Sequence, residues 1–349
     1  MTPTAKIRVG INGCGRIGRA FLRHYFNLVE PSFAVVVIHD VMPLAQLQYL
    51  LEFDSVHGRC QHPISIDEKA VALQTCHGLI GFERGKSLPS WDNYQVDIVL
   101  ELTGQFSDDI ALQTHLNHGA SRVLLCAPLL HKSGQILLDL PAHAKGLMPG
   151  ESIDFSGPHR IFSAFSCTTQ AFLTLLKPLQ DQKLPIQSIM VTEIHGYTAG
   201  QRLIDGPHDD WRRGRSATQS IIPTATQGIF GVEYFYPELS SKIAGFSIRV
   251  PIPNVAALNV CFHLDGDYSL TEITTIFRQA QALKTVNGLG IEQAPTVSVD
   301  YQGRLESAVL ATDLCQINHR QLRLYAWYDN EYAYAMRLVE SLSSHAPVH

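Results

Sequence analysis

Two groups of residues in this chain are of types and at spacings that could do chemistry. The first is Ser166-Cys167-Thr168-Thr169, which runs into the apolar-periodic stretch Gln170–Leu179. That periodicity predicts a helix, with Ser166 or a neighbour as its cap. Cys167 then falls in the first turn, where the helix dipole and the free amides favour a thiolate. A depressed thiol pKa is what a nucleophilic cysteine needs at neutral pH. A capping run with an ordinary buried thiol fits the pattern equally well. A base is available at His195, which closes the apolar run Ile186–His195 and precedes Gly196-Tyr197-Thr198. A strand-end histidine there could lie over a cleft and take a proton. The chain has sixteen histidines, so the pattern alone does not single this one out.

The second group is Gly13-Cys14-Gly15-Arg16-Ile17-Gly18. The first glycine of such a loop allows a tight turn, the second lets backbone approach a pyrophosphate, and the third permits close packing of helix on strand. The helix N-terminus that follows attracts the anion. Asp40 ends the next strand, at the place where a carboxylate hydrogen-bonds a ribose 2′-hydroxyl and repels a 2′-phosphate. The pair of signals points to NAD in preference to NADP.

Elements that would position these groups can be read from the same pattern. Lys6–Ile11 reads as a buried strand, Arg19–Val29 as a helix and Phe33–Ile38 as a second strand, a β-α-β unit suited to parallel pairing. Asp97–Leu102 and Arg122–Leu125 read as later strands with a helix, Ile110–His118, between them. Residues 1–166 are therefore expected to form a doubly wound α/β domain of Rossmann type. The second half, 167–330, changes character. Ile186–His195, Ile243–Val250, Ala256–Leu264 and Thr296–Asp300 are strand candidates with few helices between them, which predicts an α+β domain with a mixed or antiparallel sheet. Residues 196–229 read as a long loop, of the kind that carries function or an interface. Tyr332–Leu342 reads as a terminal helix.

Composition excludes several classes. The chain of 349 residues is 45% hydrophobic and 17% charged, with a net charge of −5, so a basic nucleic-acid footprint is missing. The first ten residues show no signal-peptide pattern, and no apolar run reaches the length of a membrane span; a cytoplasmic location is expected. The seven cysteines are scattered and unpaired by spacing, which argues against a disulfide framework or a zinc site. No metal is expected.

Seven segments occur in a fixed order: INGCGRIGR (11–19), EFDSVHGR (52–59), SCTT (166–169), IHGYT (194–198), DDWRRGRSATQSIIPTAT (209–226), RVPIPNV (249–255) and WYDNE (327–331). Together they resemble the phosphorylating glyceraldehyde-3-phosphate dehydrogenase family, which includes erythrose-4-phosphate dehydrogenase. The similarity runs from Ile7 to about Val339. It implies an NAD-binding Rossmann domain at 1–166 completed by the C-terminal helix 331–349, a catalytic domain at 167–330, and a homotetramer. It implies that Cys167 attacks an aldehyde, that His195 takes the proton, and that the resulting thioester is released by inorganic phosphate, with glyceraldehyde 3-phosphate as substrate in a glycolytic step. Cofactor contacts implied beyond the glycines and Asp40 are Arg16, Ile17, Arg84, Thr103, Cys126 and Asn330. Substrate and phosphate contacts implied are Ser166, Thr168, Thr198, Arg213, Arg215, Thr226, Gln227 and Arg249.

The sequence also departs from the family pattern. Gln170 stands for Asn, Phe165 for a small residue before the nucleophile, Ala199-Gly200 for Asn-Asp, and Gln227 for Gly. These changes gather around substrate and phosphate. They keep open a different phosphorylated aldehyde such as erythrose 4-phosphate, water in place of phosphate, or a catalytically weak NAD-binding regulatory protein.

Overall fold

A computed structural model describes residues 6–343; the extreme ends of the predicted N-terminal domain and of the predicted terminal helix, and the first five residues read for a signal peptide, lie outside that range. The chain divides into two compact units, one formed by Met1–Ser166 with Ala335–His349, the other by Cys167–Tyr334.

In the first unit the elements are β1 (Ile7–Asn12), α1 (Arg16–Asn27), β2 (Phe33–Asp40), α2 (Leu44–Glu52), the small hairpin β3 (Phe53–Asp54) and β4 (Gly58–Arg59), β5 (Ser65–Asp67), β6 (Ala72–Thr75), β7 (Gly78–Arg84), β8 (Ile98–Glu101), α3 (Asp109–Asn117), β9 (Arg122–Leu125), β10 (Ala144–Gly146) and β11 (Ile161–Ser163). Nine strands form one sheet in the order β10-β11-β9-β8-β1-β2-β7-β6-β5. Its centre is parallel, with β1 between β2 and β8, whereas β5, β6 and β7 pair antiparallel at one edge. The order reverses at β1, so the carboxyl end of β1 opens a crevice of the kind that binds ligands in doubly wound sheets. Val9, Ile11, Val37, Ile38, Val99 and Leu100 are fully buried, as expected of central parallel strands covered on both faces.

The second unit continues with α4 (Cys167–Asp181), β12 (Ile186–Gly196), β13 (Ile222–Thr224), β14 (Ile243–Val250), β15 (Ala256–Leu264), α5 (Leu270–Ala282), β16 (Leu289–Glu292), β17 (Ala308–Ala311), β18 (Gln316–Asn318) and β19 (Gln321–Tyr328). Its sheet runs β13-β14-β12-β15-β19-β17-β16, with β18 also on β19. The β12–β14 and β16–β17 pairs are parallel and the rest antiparallel, so the sheet is mixed. The last helix, α6 (Tyr332–Leu342), crosses the division between units. Within the first unit the Ile153 amide donates to Ser341 O and the Ser152 hydroxyl to Ser343 O, tying the last turn of α6 to that unit.

Several boundaries differ from the sequence expectation for identifiable reasons. Helix α1 starts at Arg16, not Arg19, because Gly15 already serves as its extended N-cap, and it stops at Asn27, before Leu28 turns extended. Thr296–Asp300 is not a strand: Ser298–Tyr301 is a 3-10 turn, held by the Asp300 carboxylate accepting from the Val297 amide at 2.8 Å. Such a side-chain bond competes with a sheet ladder. Helix α5 was signalled by Ser269-x-x-Glu272, a full capping box, but its surface-facing polar residues blurred the apolar period.

Candidate active site

In the first unit the glycine loop forms a cradle. Gly13 has φ of +89°, and a Cβ there would lie 2.8 Å from Thr103 Cγ2. A Cβ on Gly18 would meet Gly13 O at 2.9 Å, so this glycine lets the helix close on the turn. A Cβ on Gly15 would meet nothing within 4 Å. The space over the second glycine is open, as approach of a phosphate group to the backbone requires. The adjoining cavity of about 620 Å³ is lined by Gly13, Gly15, Asp40 and Thr103, among others. Asp40 braces the loop from β2, accepting from the Cys14 amide at 2.6 Å and the Met42 amide at 2.9 Å.

The other cofactor candidates of this unit do not line that cavity. Arg16 pairs with Asp54 at 2.5 Å, and Arg84 donates to Val41 O at 3.2 Å. Ile17 and Gly18 lie within the first turns of α1. The Cys126 thiol donates to Leu124 O, and burial raises its pKa well above the ordinary value. Sequence reading missed Glu101, a buried carboxylate at the end of β8. It accepts from Asn12 Nδ2 at 2.5 Å and from the Thr103 amide at 2.7 Å, and lies 3.0 Å from His115 Nε2. Glu101 thereby holds Asn12 and Thr103, two residues that line the cavity.

In the second unit Cys167 opens α4, and its Sγ lies 3.8 Å from His195 Nε2. The His195 Nδ1 is 2.7 Å from Gly196 O, a carbonyl that can only accept. Nδ1 therefore carries the proton, and the Nε2 lone pair faces the thiol. Helix and strand supply the two partners because α4 packs beside β15 and β17 of the sheet that contains β12.

The electrostatics oppose the thiolate expected at the helix start. Burial, then the Glu193 charge, push the Cys167 thiol up to about 12, against the pull of the helix start toward a thiolate. Burial, then Arg249, push the His195 imidazole down to about 4. Both shifts favour the neutral forms, a thiol facing an imidazole.

The anion-site candidates separate into three groups. Arg249 faces His195 across the β12–β14 register and donates to Gly196 O at 3.4 Å. Arg213 donates to Thr224 Oγ1 at 2.8 Å and to Ala225 O at 3.2 Å, and its pKa is lowered by burial and by Arg249. The structure therefore brings these two guanidinium groups into one electrostatic neighbourhood. Arg215 is exposed and pairs with Asp205 at 2.9 Å. Thr198, Ala199, Gly200 and Gln227 are exposed loop residues, while Thr226 Oγ1 accepts from the Gly228 amide at 3.1 Å. Thr168 is buried, and its hydroxyl points into a polar network.

That network contains two residues the sequence reading missed. The Thr168 hydroxyl donates to Glu193 Oε1 and lies 3.1 Å from the Tyr328 hydroxyl. Glu193 stands two residues before His195 on β12, hence on the same face. Burial opposes its charge, but His195, Arg249 and the Thr168 hydroxyl outweigh that and hold its carboxyl below the ordinary value. A glutamate inside the apolar alternation of IQSIMVTEIH was the available signal. Asn330, after β19, is buried with its Oδ1 lacking a hydrogen-bond partner, an acceptor that suits a carboxamide donor. Before Cys167, Phe165 is buried with φ of +54°, and Ser166 is half-buried. Gln170 is buried in the first turn of α4.

Comparison with known proteins decides the family. Residues 7–109 match the model of the glyceraldehyde 3-phosphate dehydrogenase NAD binding domain, and 166–330 match that of the C-terminal domain. Glyceraldehyde-3-phosphate dehydrogenase of Mycobacterium leprae is 34% identical over 340 residues, covering 96% of this chain and 97% of the relative. The chain belongs to the glyceraldehyde-3-phosphate dehydrogenase family of NAD-dependent oxidoreductases. The enzyme of that name from Geobacillus stearothermophilus is 33% identical over 96% of both chains. The chloroplastic A form of Chlamydomonas reinhardtii is also 33% identical, over 96% of this chain and 87% of its own. Among the described residues no helix is long and apolar enough to cross a membrane, and no group of three or more His, Cys, Asp or Glu could hold a metal ion.

Proposed function

We propose that this chain oxidises glyceraldehyde 3-phosphate through a thioester on Cys167, with inorganic phosphate as acyl acceptor and 1,3-bisphosphoglycerate as product. The observation that carries this reading is the Cys167 Sγ to His195 Nε2 distance of 3.8 Å, with the Nε2 lone pair aimed at the thiol. Sulfur attacks the aldehyde carbon, and the thiol proton passes to Nε2. The imidazolium can then return a hydrogen bond to the oxygen of the thiohemiacetal. Gly196 O supports the positive ring through Nδ1, and Glu193 favours the same charge. NAD, when bound, supplies the two-electron acceptor for oxidation of that adduct to the thioester. Attack on the thioester carbonyl then breaks the C–S bond and frees the thiolate, which recovers its proton.

For the cofactor we assign Gly13, Gly15, Gly18, the α1 N-terminus with Arg16 and Ile17, Asp40 and Thr103, with Asn330 Oδ1 as acceptor for the nicotinamide carboxamide. The open space over Gly15 and the unpartnered Asn330 Oδ1 fit that group. Arg84 and Cys126 are assigned as flanking contacts, the latter through backbone. For the anionic groups we assign Arg213 and Arg249 as the charged centre, because guanidinium forms bidentate, charge-assisted bonds to phosphate. Ser166, Thr198, Arg215, Thr226 and Gln227 are assigned supporting contacts. The two compact units are read as NAD-binding and catalytic domains, the assembly as a homotetramer and the location as cytoplasmic.

The test is NADH formation from glyceraldehyde 3-phosphate and from erythrose 4-phosphate, each with and without inorganic phosphate. Phosphate-stimulated turnover of the triose, lost in Cys167→Ser, supports the reading. Turnover of the tetrose alone would replace the substrate, and turnover that survives Cys167→Ser would defeat the covalent mechanism.

A further inference from the structure

We infer that Glu193 is a specificity-determining residue for the acyl acceptor: by holding the Thr168 hydroxyl it weakens the affinity of the site beside Cys167 for inorganic phosphate. The inference rests on the functional reading above and deepens it.

The argument starts from proton counting. A threonine hydroxyl has one proton to donate. In Thr168 that proton goes to Glu193 Oε1, so none remains for a phosphate oxygen. The Tyr328 hydroxyl, 3.1 Å from Thr168 Oγ1 and 3.5 Å from Glu193 Oε1, is drawn into the same network. Thr168, Glu193 and Tyr328 are all buried, which makes the arrangement costly to rearrange for an incoming anion. Thr226 differs, because its Oγ1 accepts from the Gly228 amide and keeps its own proton for a ligand.

Charge acts in the same direction. The Glu193 carboxylate lies beside Arg249 and opposes the attraction of that guanidinium for a second anion. Arg213 has Asp210 at 3.5 Å and Arg215 has Asp205 at 2.9 Å, so each of the three arginines has a carboxylate near it. An anion on the Thr226 side meets a hydroxyl that still has its own proton to donate. One on the Cys167 and Thr168 side meets a carboxylate and a hydroxyl already committed.

The experiment measures phosphate KM at saturating glyceraldehyde 3-phosphate and NAD in the unaltered protein, Glu193→Gln and Glu193→Thr. Glutamine keeps the size and removes the charge; threonine is a strand-favouring residue that provides a second protein if the first does not fold. Phosphate KM is expected to fall about tenfold or more, a larger change than in KM for the aldehyde, whose adduct Glu193 also influences through His195, while KM for NAD stays within about twofold. An unchanged or higher phosphate KM overturns the inference, as does an equal change in all three constants, which would mark a merely structural role. In the unaltered protein, the acyl group should partition measurably to the free acid at about millimolar phosphate, a working concentration for a weakly bound anion. Complete channelling into acyl phosphate there overturns the inference even if neither variant folds. Failure of the unaltered protein to form NADH from the triose would defeat the functional reading itself, a result distinct from an unchanged phosphate KM.

Discussion

The glycine cradle of the first unit and the cysteine–histidine site of the second solve different problems. The cradle is made of backbone. Its capacity depends on where a Cβ is missing, and the three glycines divide the work: Gly13 and Gly18 allow the turn, while Gly15 leaves room above it. The proposed catalytic site is made of side chains. Its capacity depends on charge and proton placement among Cys167, His195, Glu193, Thr168 and Arg249. A backbone cradle is most sensitive at its glycines. A side-chain site can be retuned by one charge.

The largest effect expected from breaking this contrast is at the nucleophile. Cys167→Ser should abolish NADH formation while NAD affinity, measured by calorimetry, stays within about twofold, because the covalent step has no substitute. His195→Asn should follow, lowering kcat by about 10²–10⁴, the usual worth of a positioned base. In the cradle, Gly18→Ala should destabilise the fold by roughly 1–3 kcal/mol in thermal or denaturant unfolding, since its Cβ must push against Gly13 O. Gly15→Ala should leave stability almost untouched but raise NAD KM. If Gly15→Ala left NAD KM unchanged, the open space would not be the pyrophosphate site.

The smallest effect concerns pH. The folded His195 binds a proton less readily than an unfolded histidine, about 4 against 6.5. The unfolded state therefore takes up more protons in that window, and stability is lost as pH falls from 6.5 toward 4. His195→Asn should flatten this part of the stability profile measured by denaturant titration. The same lowered pKa means that protonation of His195 in the free enzyme should not limit activity at neutral pH.

The two regions were also unequally legible. Glycine spacing, the strand before it and Asp40 after it mark the cradle, because each glycine answers a local steric demand. The parallel core around β1, β2, β8 and β9 followed from short buried runs. The antiparallel edge β5–β7 did not, since short half-exposed strands carry little period. In the second unit Cys167 and His195 were marked as candidates, and motif order singled them out from other cysteines and histidines. Their charge state was not legible. It depends on burial and on Glu193 and Arg249, which the β12–β14 register places around His195. Thr168 was read as an anion contact from its motif, but its rotamer and its partner Glu193 are tertiary facts.

The central claim is that oxidation runs through a covalent adduct on Cys167, with His195 as its base. It is tested most directly by mixing the protein with glyceraldehyde 3-phosphate and NAD without phosphate, following the NADH burst, and locating the acyl group by peptide mass. The account predicts a burst close to one equivalent per active chain and an acyl adduct on the Cys167 peptide, both missing in Cys167→Ser. An undiminished burst in Cys167→Ser, or an adduct on another cysteine, would contradict it.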